Sequence, residues 1–88
     1  MKKPYTYKVI WYSVGESFDD DSVYLSNSYW YDPEYHLDEY LTFLDNNSCF
    51  VDGYPNGDEF HVMNVDSGEV FKYVVHTEWA PRFVIEGD

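Results

Sequence analysis

Polar and apolar positions alternate near the start of the chain. Thr6 and Lys8 are interleaved with aromatic and β-branched side chains in the segment Tyr5–Val14, and this two-residue period predicts a β-strand. A second run rich in the same residue types, Ser22–Tyr31, predicts another strand. The polar stretch between them cannot continue a strand, so the two segments are predicted to form an antiparallel hairpin with a long acidic loop.

The next segment changes to a helical period. Asp32 supplies a side-chain acceptor before Pro33 and Glu34, a combination typical of a helix start, and the helix is predicted over Pro33–Asn46. Apolar residues spaced three and four apart predict the stripe that packs on a sheet, namely Leu37, Tyr40, Leu41 and Leu44. The adjacent stripe is predicted to face water and consists of Glu34, Asp38 and Asp45.

The remainder of the chain has the pattern of a sheet. Cys49–Val51 is predicted as a short strand between turn-rich segments, and Arg82–Glu86 as the last strand. Phe60–Val65 and Val70–His76 flank Asp66–Glu69, a turn whose glycine is predicted to have positive φ, so a second hairpin is expected. This order of elements predicts an α+β fold, with an antiparallel sheet of about five strands and one helix packed on one face.

Length and composition support one folded domain over residues 1–88. The net charge of -12 is typical of disordered chains, but 44% hydrophobic and 22% aromatic residues supply enough apolar surface for a core. We expect most of the aromatic side chains to belong to that core. The single cysteine, Cys49, cannot form an internal disulfide and is expected to be a buried thiol. We therefore expect an intracellular, cytoplasmic protein, and we identify no segment of the ~20 apolar residues that would span a membrane.

The charge is distributed very unevenly along the sequence. From Val9 to Phe71, 63 residues contain fourteen Asp and Glu and no Lys or Arg. The five cations occupy the two ends and are Lys2, Lys3, Lys8, Lys72 and Arg82. We expect the three N-terminal lysines to lie away from the acidic surface. Such a field repels nucleic acids and anionic membranes and attracts basic protein surfaces, so it indicates a basic protein partner.

Catalytic and metal-binding patterns are weak. Seventeen carboxylates guarantee that some lie close together, so their proximity carries no information about catalysis. A calcium loop starting at Asp45 would need glycine where Phe50 stands. The histidines lack the spacing of a zinc site and are His36, His61 and His76. The sequence predicts a protein without enzymatic activity, metal or cofactor.

The second hairpin predicts one charge pair. If Val65 lies opposite Val70, then Glu59 lies opposite His76 on the same face of the sheet. This register assigns Glu59 and His76 a structural role.

The acidic helix stripe has a spacing comparable with that of DNA phosphates. Glu34 and Asp38 are about 6 Å apart along the helix axis, and Asp38 and Asp45 about 10.5 Å apart. Two and three phosphate steps of one strand span about 6.8 and 10.2 Å. Any helix with acids four and seven positions apart shares this spacing, and a solvated face is its usual meaning.

In its uniform charge, aromatic content and small size, the chain resembles the small acidic proteins of phages and mobile elements that imitate DNA, a class without a common fold or motif. The resemblance implies inhibition of a basic nucleic-acid-binding host protein, such as a restriction, CRISPR, repair or nucleoid protein. The carboxylates predicted to bind it are Glu16, Asp19, Asp20, Asp21, Asp32, Glu34, Asp38, Asp45, Asp52, Asp58 and Glu59. The predicted contact aromatics are Phe18, Tyr31 and Tyr54.

Two questions stay open at the level of sequence. An acidic adaptor that binds a basic partner without competing with nucleic acid has the same charge signature. A homodimer that extends the acidic surface is equally compatible with the chain.

Overall fold

The chain folds into a five-stranded antiparallel sheet with one helix packed on one face, which confirms the predicted α+β class. This computed structural model describes residues 4–50, 53–79 and 82–87. The strands are β1 (Tyr5–Trp11), β2 (Tyr24–Ser28), β3 (Asn56–Asn64), β4 (Val70–Trp79) and β5 (Arg82–Gly87), and the helix is α1 (Pro33–Asn46). The sheet order is β2-β1-β3-β4-β5, so β2 and β5 form its two edges.

The core lies between α1 and the sheet. The predicted apolar stripe of the helix is buried, which confirms its orientation. Its members pack with buried side chains of β1, β3 and β4, which are Tyr7, Val9, Phe60, Val62 and Val75. Because a sheet alternates its side chains, one face of each strand meets the helix, while residues such as Lys8 and Lys72 belong to the opposite face.

Both ends of α1 have clear capping interactions. Asp32 is the N-cap, as predicted, and its side chain accepts a hydrogen bond from the Glu34 amide at 3.0 Å. At the other end, the Cys49 amide donates to the Leu44 carbonyl and Ser48 has a φ of 55°, the arrangement of a Schellman motif. The helix closure therefore uses Cys49, the first residue of the short strand predicted over Cys49–Val51. Cys49 and Phe50 are not in a strand, and Val51 lies outside the described residues.

The first hairpin is confirmed, but its strands are shorter than predicted. β1 and β2 pair antiparallel. β1 stops at Trp11 because the backbone turns through a short 3-10 segment, Tyr12–Val14, into Gly15 with a φ of 91°. The Trp11 amide then donates to the Glu16 side chain instead of continuing a strand ladder. β2 ends at Ser28, and the following aromatic residues lead into the helix cap.

The second hairpin is confirmed with a different register. Met63, not Val65, lies opposite Val70. Asn64 causes the difference, because its side chain accepts hydrogen bonds from the amides of Asp66 and Ser67 and organises a longer turn. The Val65 amide is drawn away to the carbonyl of Thr6 on β1. Gly68 has the predicted positive φ, at 77°.

The predicted pair of Glu59 with His76 is therefore wrong. Glu59 lies opposite Val74 and contacts His61 on its own strand. His76 instead approaches Glu86 on β5 at 3.5 Å. The register differs by two positions, which leaves every side chain on its predicted face and changes only its partner.

Candidate functional site

An acidic and aromatic surface surrounds the first turns of α1. Its carboxylates belong to Asp32, Glu34 and Asp38, and its aromatic side chains to Trp30, Tyr31 and Tyr35. We call these six residues the helix surface. All six are exposed, with Trp30 at 64% and Tyr31 at 59% of their full accessible area. Exposed tryptophan and tyrosine are enriched where proteins bind other proteins, so the composition indicates a contact surface.

The backbone that carries these aromatics is held from the core. The Tyr7 hydroxyl donates to the Tyr31 carbonyl at 2.7 Å, and the Nε2 atom of His36 is 2.9 Å from the Trp30 carbonyl. Tyr7 and His36 are fully buried and stack with ring centroids 4.1 Å apart. Hydrogen bonds thus hold two consecutive backbone carbonyls against buried side chains. Because this segment is already ordered, binding a partner costs less conformational entropy.

A groove of about 360 Å³ separates the helix surface from the edge strand β5. Its lining consists of Asp32, Glu34, Tyr35, Asp38, Phe83 and Ile85. The negative charge of this groove also acts on the sheet beneath it. The pKa of Tyr73 is raised to about 12, first by burial of the hydroxyl and then by the charges of Asp32 and Glu34. A cationic group in this groove would meet three carboxylates beside apolar walls.

We expect the ionisation of Tyr73 to report this field. Replacing Asp32 with Asn and Glu34 with Gln should lower the pKa of Tyr73 from about 12, because tyrosinate would form next to fewer negative charges. Ring NMR signals assigned to Tyr73 measure the change. The matched control, Asp66→Asn with Glu69→Gln, removes the same charge from the β3–β4 turn and should leave the pKa in place. An equal fall in both variants would contradict a local field.

The sign of the linked stability effect follows from the same shift. The pKa of Tyr73 is higher in the folded chain than its ordinary value of 10.0. Neutral Tyr73 therefore contributes stability that is complete below about pH 10 and is lost as the pH rises through about 12.

A second group of exposed carboxylates lies in the loop between β1 and β2. Asp19, Asp20 and Asp21 are all exposed. The loop is organised by turns, with the Asp20 amide donating to Ser17 and the Val23 amide to the Asp20 carbonyl. Hydrogen bonds from the Ser22 amide and hydroxyl lower the pKa of the Asp20 carboxyl. We call residues 15–23 the acidic loop.

Two of the predicted binding carboxylates serve inside the fold. Glu16 accepts hydrogen bonds from the Trp11 amide and from the Tyr40 hydroxyl, and is half-buried. Asp58 accepts from the indole Nε1 of Trp11 at 2.9 Å. Both acids therefore help to place Trp11 against the core, which limits the charge they present to water.

Asp45 and Glu59 are also half-buried and engaged. Asp45 accepts a hydrogen bond from the Tyr54 hydroxyl at 3.2 Å, and Glu59 contacts His61. Asp52 lies outside the described residues. Of the eleven predicted positions, the structure thus places six in full exposure, divided between the helix surface and the acidic loop.

The described cations leave the helix surface unneutralised. Among residues 4–50, 53–79 and 82–87, one ion pair joins a Lys or Arg side chain to a carboxylate. It is the pair of Arg82 with Glu78, at 3.6 Å. Lys8 was expected away from the acidic surface, but its Nζ atom donates to the Phe18 carbonyl in the acidic loop at 3.3 Å. Lys2 and Lys3 lie outside the described residues.

Aromatic exposure is broader than the sequence interpretation allowed. Tyr31 and Tyr54 are exposed, as expected for contact residues, whereas Phe18 is half-buried. Trp30 and Tyr35 were missed. A usable signal existed, because three consecutive aromatics from Tyr29 cannot all face one side of a strand, and Tyr35 falls outside the apolar stripe of the helix.

Cys49, expected to be buried, is exposed beyond the end of α1, since the Schellman closure carries it out of the core. Across the described ranges, no group of three or more His, Cys, Asp or Glu side chains is arranged to hold a metal ion. Likewise, no helix of the described chain has the length and apolar character needed to cross a membrane. The chain matches no family model, no curated protein and no solved structure.

Proposed function

We propose that this chain is a DNA-mimic inhibitor, which acts inside the host cell by occupying the basic nucleic-acid-binding site of a host protein. The single observation that carries the proposal is the combination found on the helix surface. Its three carboxylates are exposed, have no ion pair with Lys or Arg among the described residues, and lie beside exposed Trp30 and Tyr35. The proposed role is binding, without catalysis, metal or cofactor.

The physical basis is substitution of carboxylates for phosphates. A DNA-binding cleft presents Lys and Arg that would otherwise contact phosphate oxygens and release their counterions. Exposed Glu34 and Asp38, one helical turn apart, offer anionic oxygens on a rigid element at a comparable spacing. Charge steers the encounter and sets its rate, whereas buried aromatic contacts provide most of the lasting affinity.

Mutual exclusion with DNA tests the proposal. Affinity-tagged chain is incubated with bacterial lysate at moderate salt, and the captured proteins are identified by mass. We expect a nucleic-acid-binding protein among them. In a binding assay with the purified partner, increasing concentrations of a DNA duplex should displace the chain completely, and the chain should displace the duplex.

Each alternative outcome counts against mimicry. A ternary complex of partner, chain and duplex would assign the chain to the adaptor class. Capture of partners that do not bind nucleic acid would do the same. As a control, the duplex is replaced with a neutral polymer of the same size, which should leave the complex of the chain and its partner intact.

A further inference from the structure

A pocket of about 380 Å³ lies on the other side of α1 from the groove at β5, between the helix, β2 and the acidic loop. Residues that line it include Glu16, Asp20, Tyr24, Tyr40, Phe43 and Leu44. The pocket thus combines carboxylates from the acidic loop with aromatic rings from β2 and α1. It is separate from the helix surface, with which it shares no residue.

The aromatic part of the lining is a three-ring cluster. The ring centroid of Tyr24 lies 4.8 Å from that of Tyr40 and 5.1 Å from that of Phe43. Tyr40 is buried, Tyr24 is half-buried, and Phe43 is 44% exposed. Exposure therefore increases outward through the cluster, and a ligand can reach an aromatic surface continuous with the core.

Of the two carboxylates of the pocket, Asp20 keeps an acceptor oxygen for a ligand, and Glu16 contributes a fixed negative charge. Both hydrogen bonds from Ser22 go to the Oδ1 atom of Asp20, so Oδ2 has no partner in the described part of the chain. Glu16 is held in place within the fold, since its Oε1 atom accepts from the Trp11 amide and from the Tyr40 hydroxyl, and its Oε2 atom lies 3.2 Å from the same hydroxyl. These bonds hold a negative charge at the rim of the aromatic cluster, where burial and Glu16 together raise the pKa of Tyr40 and keep that ring neutral.

We propose that this pocket is a binding site for an arginine side chain of the partner protein. A planar guanidinium stacks on aromatic rings and donates hydrogen bonds to carboxylates, and the pocket offers both kinds of group within one cavity. Charge complementarity favours this occupant over a neutral or anionic one. The inference rests on the proposed function and deepens it, since it names a contact through which the chain would bind a basic nucleic-acid site.

Binding of a single arginine derivative tests the site without any partner protein. The probe is N-acetyl-arginine-N-methylamide, titrated into isotope-labelled chain and followed by backbone amide NMR. We expect saturable shifts at the amides of Ser17, Ser22 and Phe43. The citrulline analogue has the same shape without the charge, and should bind roughly tenfold more weakly.

Isosteric variants separate the pocket from general acidity. Glu16→Gln with Asp20→Asn keeps the Oε1 and Oδ1 acceptors used within the fold and removes two charges, and should weaken arginine binding roughly tenfold. The control, Asp19→Asn with Asp21→Asn, removes two charges from the same loop outside the pocket lining and should change binding less than twofold. If the Glu16 change unfolds the chain, Asp20→Asn alone decides the question.

Three results would overturn the assignment: no saturable shift, equal binding of the citrulline analogue, or equal losses in the two double variants. Each is independent of the proposed function. DNA competition without arginine binding would leave the mimicry proposal standing and remove the pocket from it. Arginine binding without a DNA-competing partner would keep the pocket and reject mimicry.

Discussion

A chain in which Glu34 and Asp38 are both replaced by Lys is expected to lose at least about a hundredfold in affinity for its DNA-binding partner, because like charges across an interface cost several kcal/mol. The double change moves the net charge from -12 to -8, since each substitution adds two units. Surface plasmon resonance with the captured partner measures it. We expect a large part of the lost affinity to appear as a lower association rate constant, because electrostatic steering acts before the two proteins touch.

The matched control is Asp66→Lys with Glu69→Lys in the exposed β3–β4 turn. It produces the same net charge without altering the helix surface, and should cost less than about tenfold. Equal losses would mean that the partner senses total charge only. Asp45 is a poor choice for reversal because it is half-buried and bonded to Tyr54, so its replacement would disturb the fold as well as the field.

The helix was predictable because its signals are local. Asp32 and Pro33 mark the start, and the apolar stripe marks the buried face. Both depend on residues within a few positions of one another, where capping and periodicity operate. Alternation is also a local signal. The faces of Thr6 and Lys8 in β1 were therefore predictable, and the two-position error in the second hairpin left its side chains on their predicted faces.

Register and strand ends were not predictable because they depend on competing hydrogen bonds. Asn64 could bond within its own turn or leave the turn short, and only the fold shows that its side chain caps two amides. Glu16 was read as a surface charge, yet it accepts from the Trp11 amide and ends β1. Acids that lie near a tyrosine hydroxyl or an indole in space, not in sequence, cannot be separated from exposed acids by composition.

The candidate site shows the same division. Sequence identified Glu34 and Asp38 correctly as exposed acids, since they lie off the apolar stripe, whereas Asp45, predicted to face water with them, is half-buried against Tyr54. It could not show that a helix edge and β5 enclose a groove, or that the acidic loop and Phe43 enclose a pocket, because these elements are distant along the chain. The eleven predicted binding carboxylates are thus not equivalent, because the six exposed ones form two acidic regions on two sides of α1.

Replacing Phe60 with Ala is expected to lower the free energy of unfolding by about 3–5 kcal/mol. Phe60 is fully buried in the middle strand of the sheet and stacks on Trp11 with ring centroids 5.3 Å apart. An 88-residue domain has a total stability of roughly 4–13 kcal/mol. A loss of about 3–5 kcal/mol is a large share of that total. It would also destabilise α1 and the surfaces on both its sides, because they pack on this core.

Phe43→Ala is the matched comparison, since it removes the same side chain from an exposed position on α1. Phe43 is 44% exposed and Phe60 is fully buried, so the Phe43 change should cost about 1 kcal/mol. Urea unfolding followed by circular dichroism gives both values, with equal denaturant slopes confirming that both variants unfold from the same compact state. If Phe43→Ala were as damaging as Phe60→Ala, the exposed aromatic wall of the arginine pocket would be part of the core, and its availability to a ligand would have to be rejected.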